Sequence, residues 1–370
     1  MKRWDIFCRV IDNYGDIGIC WRLARQLTHE HGQQVRLWVD DLASLRPLCP
    51  ETDIEARTQS LDGVDVSHWP AHFPDTAPTD VVIEAFGCDL PDRYIDAMAV
   101  AARKPVWINL EYLSAEPWTE GCHGMASPHP RLPLTKYFFF PGFTPATGGL
   151  LREHDLIRRR DAFMPQEFLA SLKITVPQDA LTVSLFSYDT APVGRMLHAW
   201  EGSSKPVLCL LPAGKPLIPT AAYFGMPTLI PGDRVQRGAL TLQVLPFLRQ
   251  EDYDRLLWSC DVNFVRGEDS FVRAQWAARP LIWQPYVQEE ESHLLKLAAF
   301  LDRYTAPLER VAANVLHGFH QGWNNHGPLD WEALLDSQQT LSSHARGWSD
   351  TLAAQPDLAS NLVIFCKNRV

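Results

Sequence analysis

The sequence contains no run of about 20 apolar residues, so no segment is built to cross a bilayer as a helix. Its N-terminal MKRWDIFCRV is interrupted by Asp5 and Arg9, which argues against a secretion signal and leads us to expect a cytoplasmic protein. None of the eight cysteines forms a C-x-x-C pair, and no H-E-x-x-H occurs, so the commonest zinc patterns are missing. In a large cytoplasmic chain those cysteines read best as buried free thiols. There is no excess of basic charge either. The formal net charge is -10, opposite in sign to the footprint of a general nucleic-acid binder. A G-x-G-x-x-G fingerprint, internal repeats and low-complexity tracts are also absent.

The chain's 370 residues exceed what one hydrophobic core normally serves, since cores stop growing near roughly 250–300 residues. Two domains are expected. Short apolar runs alternate with helical periodicity: WDIFCRV (4–10), VRLWVDD (35–41), DVVIEAFG (80–87), PVWINLEY (105–112) and KYFFFPGF (136–143) read as strands. A helix is expected from about residue 18, with Cys20, Leu23, Ala24 and Leu27 on one face. After the polar stretch 152–166 the strand pattern restarts at 181–188, 205–214, 226–232, 240–248, 261–267 and 279–288. Near-continuous apolar strands between helices point to parallel sheets covered on both faces. The expected division is residues 1–165, completed by a C-terminal helix over 350–370, and residues 175–349. In such doubly wound domains ligands bind outside the carboxyl ends of the strands.

Two segments sit where that rule looks for function. Asp12-Asn13-Tyr14-Gly15-Asp16 joins the first strand to its helix. Its two carboxylates would repel a pyrophosphate, but they suit the orientation or deprotonation of a nucleophile. Gly15 lets the backbone come close to a ligand. The structural alternative is an Asx-turn at Asp12 and a helix cap at Asp16. Arg266-Gly267-Glu268-Asp269-Ser270 follows another strand and opens another helix, with Asp269 or Ser270 as the N-cap. That helix N-terminus, Arg266 and the Ser270 hydroxyl could hold a diphosphate without a cation. Glu268 and Asp269 suit sugar or ribose hydroxyls, which donate to carboxylates. The structural alternative is a well-capped helix. Phe186, Tyr188 and Phe247 close strands and could stack on a nucleobase whose edge Gln250 reads, or could be core. Asp252-Tyr253-Asp254 resembles a metal-binding D-x-D, but its helical context points the two carboxylates about 200° apart. Asp40 and Asp41 are strand neighbours facing opposite ways. No metal is expected. On motif chemistry alone, a nucleotide-sugar enzyme acting on a small-molecule acceptor remains an alternative.

With those residues in view, the chain resembles the protein-arginine rhamnosyltransferases of elongation factor P, the EarP family. The runs that carry the resemblance include WDIFCRVIDNYGDIG, NLEYLSAEPWTEGCHG, FFFPGFTPATGGLLRE and DRLLWSCDVNFVRGEDSFVRAQWA. The resemblance implies a GT-B fold: two Rossmann-like domains facing across a cleft, acceptor side first and donor side second. It implies inverting transfer of L-rhamnose from dTDP-β-L-rhamnose to an arginine of elongation factor P, with no metal or other cofactor. Asp16 becomes the general base, with Asp12 beside it and Asn13, Tyr14 and Gly15 lining the acceptor side. Arg266, Glu268, Asp269 and Ser270 take the diphosphate and sugar, and Phe186, Tyr188, Phe247 and Gln250 take the thymidine. Residues 289–350 receive no role.

Overall fold

The computed structural model describes residues 2–12, 14–288 and 291–369. The chain divides into two compact units, Met1–His154 with Ala353–Val370, and Asp155–Leu352. Among the described residues no helix is long and apolar enough to cross a membrane.

The first unit is built on β1 (Arg3–Cys8), β2 (Gln34–Val39), β3 (Thr58–Leu61), β4 (Val64–His68), β5 (Val81–Ala85), β6 (Val106–Leu110), β7 (Ala126–Pro128) and β8 (Thr135–Phe139). These form one sheet in the order β3-β4-β2-β1-β5-β6-β8-β7. Pairing is parallel apart from the outer strands β3 and β7. β1 lies centrally, with Trp4 opposite Val35 on one side and Val81 on the other. One face carries an aromatic cluster in which Phe7 meets Trp38, Trp69, Phe73 and Tyr94 at centroid distances of 4.9–5.9 Å. Burying each such ring is worth about 1.5–3 kcal/mol. The helix Gly15–His29 buries Ile17, Cys20, Leu23, Ala24 and Leu27.

The second unit contains β9 (Leu181–Leu185), β10 (Val207–Pro212), β11 (Arg234–Arg237), β12 (Leu240–Leu245), β13 (Val262–Arg266) and β14 (Leu281–Gln284). Their order is β11-β12-β10-β9-β13-β14, parallel except for β11. Phe264 is its aromatic hub, 5.5 Å from Trp200 and 4.9 Å from Trp323. Each unit thus has a topological switch point, where the strand order reverses: between β1 and β5 in the first, between β9 and β13 in the second.

Four expectations need correction. MPTLIPG (226–232) is irregular rather than a strand, because Pro227 and Pro231 remove ladder donors; the added strand is the antiparallel β11 just after it. Residues 155–165 belong to the second unit, not the first. There the buried Arg160 donates to the Trp276 carbonyl and to Ser349 Oγ, both at 2.9 Å. At the C-terminus, Gln338–Ala353 runs almost wholly within the second unit, and Leu358–Lys367 is the helix that completes the first. The first helix starts at Gly15 rather than near residue 18. All eight cysteines are free thiols, seven of them buried.

Candidate functional site

In the first unit the chain leaves β1 and turns into its helix within six residues. Tyr14 is the N-cap residue but makes no side-chain cap, and Asp16 lies in the first helical turn. Asp16 therefore does not cap the helix. Its side chain is buried, with 2% of its surface exposed. Oδ2 accepts from the backbone N–H of Ile11 at 2.8 Å and of Asp12 at 2.9 Å, and Oδ1 accepts from the Tyr112 hydroxyl at 3.1 Å. Burial pushes the Asp16 carboxyl above its ordinary range, against the pull of the amides of Asp12 and Ile11. Neighbouring Asp12 adds to the rise and Tyr112 opposes it. The half-buried Asp12 lies directly over Gly15: a Cβ at Gly15 would come within 2.5 Å of Asp12 Oδ2. A side chain at position 15 would have to push the Asp12 carboxylate aside, so glycine here serves the placing of Asp12 rather than a special backbone angle. Asn13 lies outside the described residues.

Tyr112 has no signal in the local sequence, because 96 residues separate it from Asp16. It follows β6 at the carboxyl edge of the sheet and stacks on Phe86, which follows β5.

In the second unit, Arg266 ends β13 and is buried. Its guanidinium carbon lies 4.6 Å from the Phe186 ring centroid and 4.4 Å from that of Tyr188. Two of the four residues assigned on sequence to the thymidine, Phe186 and Tyr188, thus cluster with Arg266, assigned to the diphosphate, at the ends of β9 and β13. Gly267 at φ +59 turns the chain at once, a left-handed conformation that favours glycine, and donates to the Gln284 carbonyl at 3.0 Å. The helix Asp269–Ala277 follows, with Glu268 as its N-cap residue and no side chain capping it. The N-cap is therefore neither Asp269 nor Ser270. Ser270 Oγ donates to the Arg266 carbonyl and accepts from the Arg266 N–H at 3.0 Å, so its hydroxyl braces the turn instead of standing ready for a ligand. Gln250 is buried and its amide donates to Asp269 Oδ2 at 3.4 Å. Phe247, half-buried, lies between β12 and Gln250. Sequence reasoning missed Lys215, whose exposed ammonium lies 5.5 Å from the Tyr188 centroid beyond β10.

The carboxylates considered for metal binding have other partners. Asp254 is paired in bidentate fashion with the buried Arg273 at 2.7–2.9 Å, and Asp252 pairs with Arg255 at 2.9 Å. Asp40 accepts from the Val10 N–H at 2.9 Å, and Asp41 caps the short helix Leu42–Leu45.

Comparison with known proteins gives the family. Residues 4–367 match the family described as "Elongation-Factor P (EF-P) rhamnosyltransferase EarP". The chain is 51% identical to the protein-arginine rhamnosyltransferase of Pseudomonas putida, covering 99% of this chain and 98% of that one. It is 49% identical to the enzyme of the same name from Pseudomonas aeruginosa, over 99% of each. A solved structure described as the structural basis for EarP-mediated arginine glycosylation of translation elongation factor EF-P covers 100% of both chains, with 38% identity and a TM-score of 0.72. The fold is that of GT-B glycosyltransferases, two Rossmann-like units each with its parallel sheet. The chain belongs to the EarP family and is a glycosyltransferase, a rhamnosyltransferase acting on arginine.

Proposed function

We propose that this protein transfers L-rhamnose from dTDP-β-L-rhamnose to one arginine side chain of elongation factor P, with inversion at the anomeric carbon and without a metal ion or other cofactor. The observation that carries the reading is Asp16: a buried carboxylate held by two backbone amides and a phenol beyond the carboxyl end of β1. The family membership and the solved relative's link to elongation factor P support the choice of acceptor. Translation runs in the cytoplasm, where such an acceptor is met.

A guanidinium has a pKa of about 12 or more and delocalised lone pairs, so it is a poor nucleophile until a proton leaves. In the proposed step a guanidinium nitrogen forms a bond to the anomeric carbon. The bond from that carbon to the diphosphate oxygen breaks, and its electron pair leaves with dTDP. The proton on the attacking nitrogen passes to Asp16, with Asp12 beside it favouring positive charge on the guanidinium and the sugar ring. Arg266 and the N-terminus of the helix Asp269–Ala277 receive the growing negative charge of the diphosphate. Ser270 contributes there through its backbone N–H. Phe186, Tyr188, Phe247 and Gln250 form the thymidine seat, and Glu268 and Asp269 take sugar hydroxyls. Asn13, Tyr14 and Gly15 line the acceptor side.

The decisive experiment incubates elongation factor P with this protein and dTDP-rhamnose, with and without a chelator, and maps the product by mass spectrometry. One deoxyhexose on a single arginine is expected, unchanged by chelation, with NMR of the product giving the α-anomer. No gain on elongation factor P, together with transfer to a small-molecule acceptor, would replace this reading with a different acceptor class. Retention of the β configuration would remove the single-displacement step.

A further inference from the structure

We propose that Tyr112 is a positioning residue for Asp16, fixing one carboxylate oxygen through its hydroxyl while Phe86 braces its ring. This rests on the reading of Asp16 as the base and deepens it.

The two amides of Ile11 and Asp12 both serve the same oxygen, Oδ2. They anchor the carboxylate at one corner. The position of Oδ1 then depends on its bond from Tyr112 at 3.1 Å. Tyr112 reaches it from the opposite side of the switch point, beyond β6, so this bond ties the β1 loop to the edge formed by β5 and β6.

The ring of Tyr112 is held as well as its hydroxyl. It lies 4.4 Å from Phe86, with the planes only 14° apart. Phe86 has φ +58 and is followed by Gly87 at φ +62. A left-handed backbone is costly for a residue with a Cβ and uncommon for an aromatic one, and such strain collects where a function needs the geometry. The turn is clamped to β6: Phe86 N–H donates to the Leu110 carbonyl at 2.7 Å, and Gly87 N–H to Asn109 Oδ1 at 3.1 Å. Neither Phe86 nor Tyr112 is fully buried, whereas the aromatic cluster around Phe7 is. The stacked pair, with its strained Phe86, therefore sits at the rim of the sheet, where core packing does not require it.

A phenol donating to a carboxylate favours the ionised form and reserves the remaining lone pairs for an incoming proton. The charged neighbour that bears on Asp16 is Asp12 from the same loop; the thiol of Cys8 on β1, kept protonated by its bond with Cys20 and by burial, has no charge to add. Tyr112 opposes the effect of Asp12 on the Asp16 carboxyl.

Tyr112→Phe keeps the stacked ring and deletes the bond. Its kcat should fall about tenfold at the acidic end of the pH profile, the effect of losing one hydrogen bond to a charged group, and recover toward the wild-type value as pH rises. The acidic limb of kcat should move to higher pH, with the KM for dTDP-rhamnose unchanged. Phe86→Leu, which loosens the ring but leaves the hydroxyl, should move the limb in the same direction by less. An unmoved limb in Tyr112→Phe overturns the proposal, and so does a loss of the same size at every pH. Asp16→Asn measured alongside separates the two claims. If it keeps turnover and the wild-type limb, the base reading itself fails. If it is inactive while Tyr112→Phe titrates like wild type, only the role of Tyr112 fails.

Discussion

At its switch point the first sheet carries a buried carboxylate, Asp16, fastened by two backbone amides and a phenol. At its own switch point the second sheet carries a buried guanidinium, Arg266, laid between the rings of Phe186 and Tyr188. The same topological position thus holds opposite charges, secured by different means. Amides and a hydroxyl hold an anion by its oxygens and leave it able to accept a proton. Aromatic rings hold a guanidinium by its faces, the arrangement that leaves edge geometry for oxygen ligands. The second unit also shows what a purely structural buried cation looks like. Arg273 lies flat against Asp254 with two hydrogen bonds, one charge answering the other. On the function proposed above, Arg266 meets a ligand while Arg273 closes a core, and the two can be told apart by experiment.

The sharpest way to break the comparison is to neutralise Asp16. Asp16→Asn should lower kcat by roughly 10²–10⁴-fold, the usual worth of a positioned acid–base group, while dTDP affinity measured by calorimetry is unchanged. Stability should not fall with it. The folded-state pKa of Asp16 is raised by burial, so its stabilising contribution is present below the unfolded pKa and is lost as pH rises through the folded one. At neutral pH the wild type bears the cost of a buried negative charge, and the asparagine does not. Melting temperatures of the two should therefore differ most at neutral pH, with the variant equal or higher, and converge as pH falls. Near-normal turnover would end the assignment.

The second unit should answer pH in the opposite sense. His320 is fully buried, accepts from the Trp283 N–H at 3.1 Å and has its pKa lowered to about 4, chiefly by burial. Neutral His320 stabilises the fold above the unfolded value of 6.5, and that contribution is lost as pH falls from 6.5 toward about 4. The depression corresponds to about 3 kcal/mol over that window. Denaturant melts between pH 7 and pH 4 should show the loss, and His320→Gln should flatten the pH dependence. Equal slopes for variant and wild type would show that some other group governs the acid limb.

Much of this was legible in the sequence, because strand endings in a doubly wound fold are where ligands bind. Asp12, Asp16, Arg266, Phe186 and Tyr188 all fall at such endings, and the near-continuous apolar strands signal both sheets. The misses have physical causes. Gly15 has weak helix propensity and made the helix look later than it is, although an N-terminal turn tolerates glycine well. The hairpin of β3 and β4 was missed despite Asp62-Gly63, both at positive φ, the strongest short-range hairpin signal; its strands are short and partly polar. Tyr112 and Lys215 were invisible for a different reason. Each acts on a residue far away in sequence, Tyr112 on Asp16 and Lys215 on Tyr188. Ser270 was recognised as important, but the direction of its hydroxyl could be read only from the fold.

The cation of the second unit can be tested in the same terms. Arg266→Met removes the charge but keeps apolar bulk between Phe186 and Tyr188. Losing one or two charge-assisted hydrogen bonds to a diphosphate should weaken dTDP binding about 10–100-fold, read by calorimetry, while Asp16-dependent pH behaviour is retained. Arg266→Lys should recover only part of the loss, because an ammonium does not match two rings and a diphosphate together as a planar fork does. Unchanged affinity in Arg266→Met would make this guanidinium structural, like Arg273, and dissolve the contrast.

Lys215 gives the smallest expected effect and the finest distinction. Its ammonium lies 5.5 Å from the same Tyr188 ring whose centroid is 4.4 Å from Arg266, so one aromatic side chain serves two cations. Unlike Arg266, Lys215 is exposed, on the loop between β10 and the helix Leu217–Phe224. An exposed charge interacts through water and salt, so Lys215→Met should weaken dTDP binding only about two- to fivefold at low ionic strength. That deficit should disappear in high salt, whereas the deficit of Arg266→Met, a buried group, should largely persist. If both variants lose the same affinity at every salt concentration, burial does not separate their roles, and the two cations act as one site. If Lys215→Met binds dTDP like wild type at low salt, the positive side of the comparison rests on Arg266 and the helix N-terminus alone.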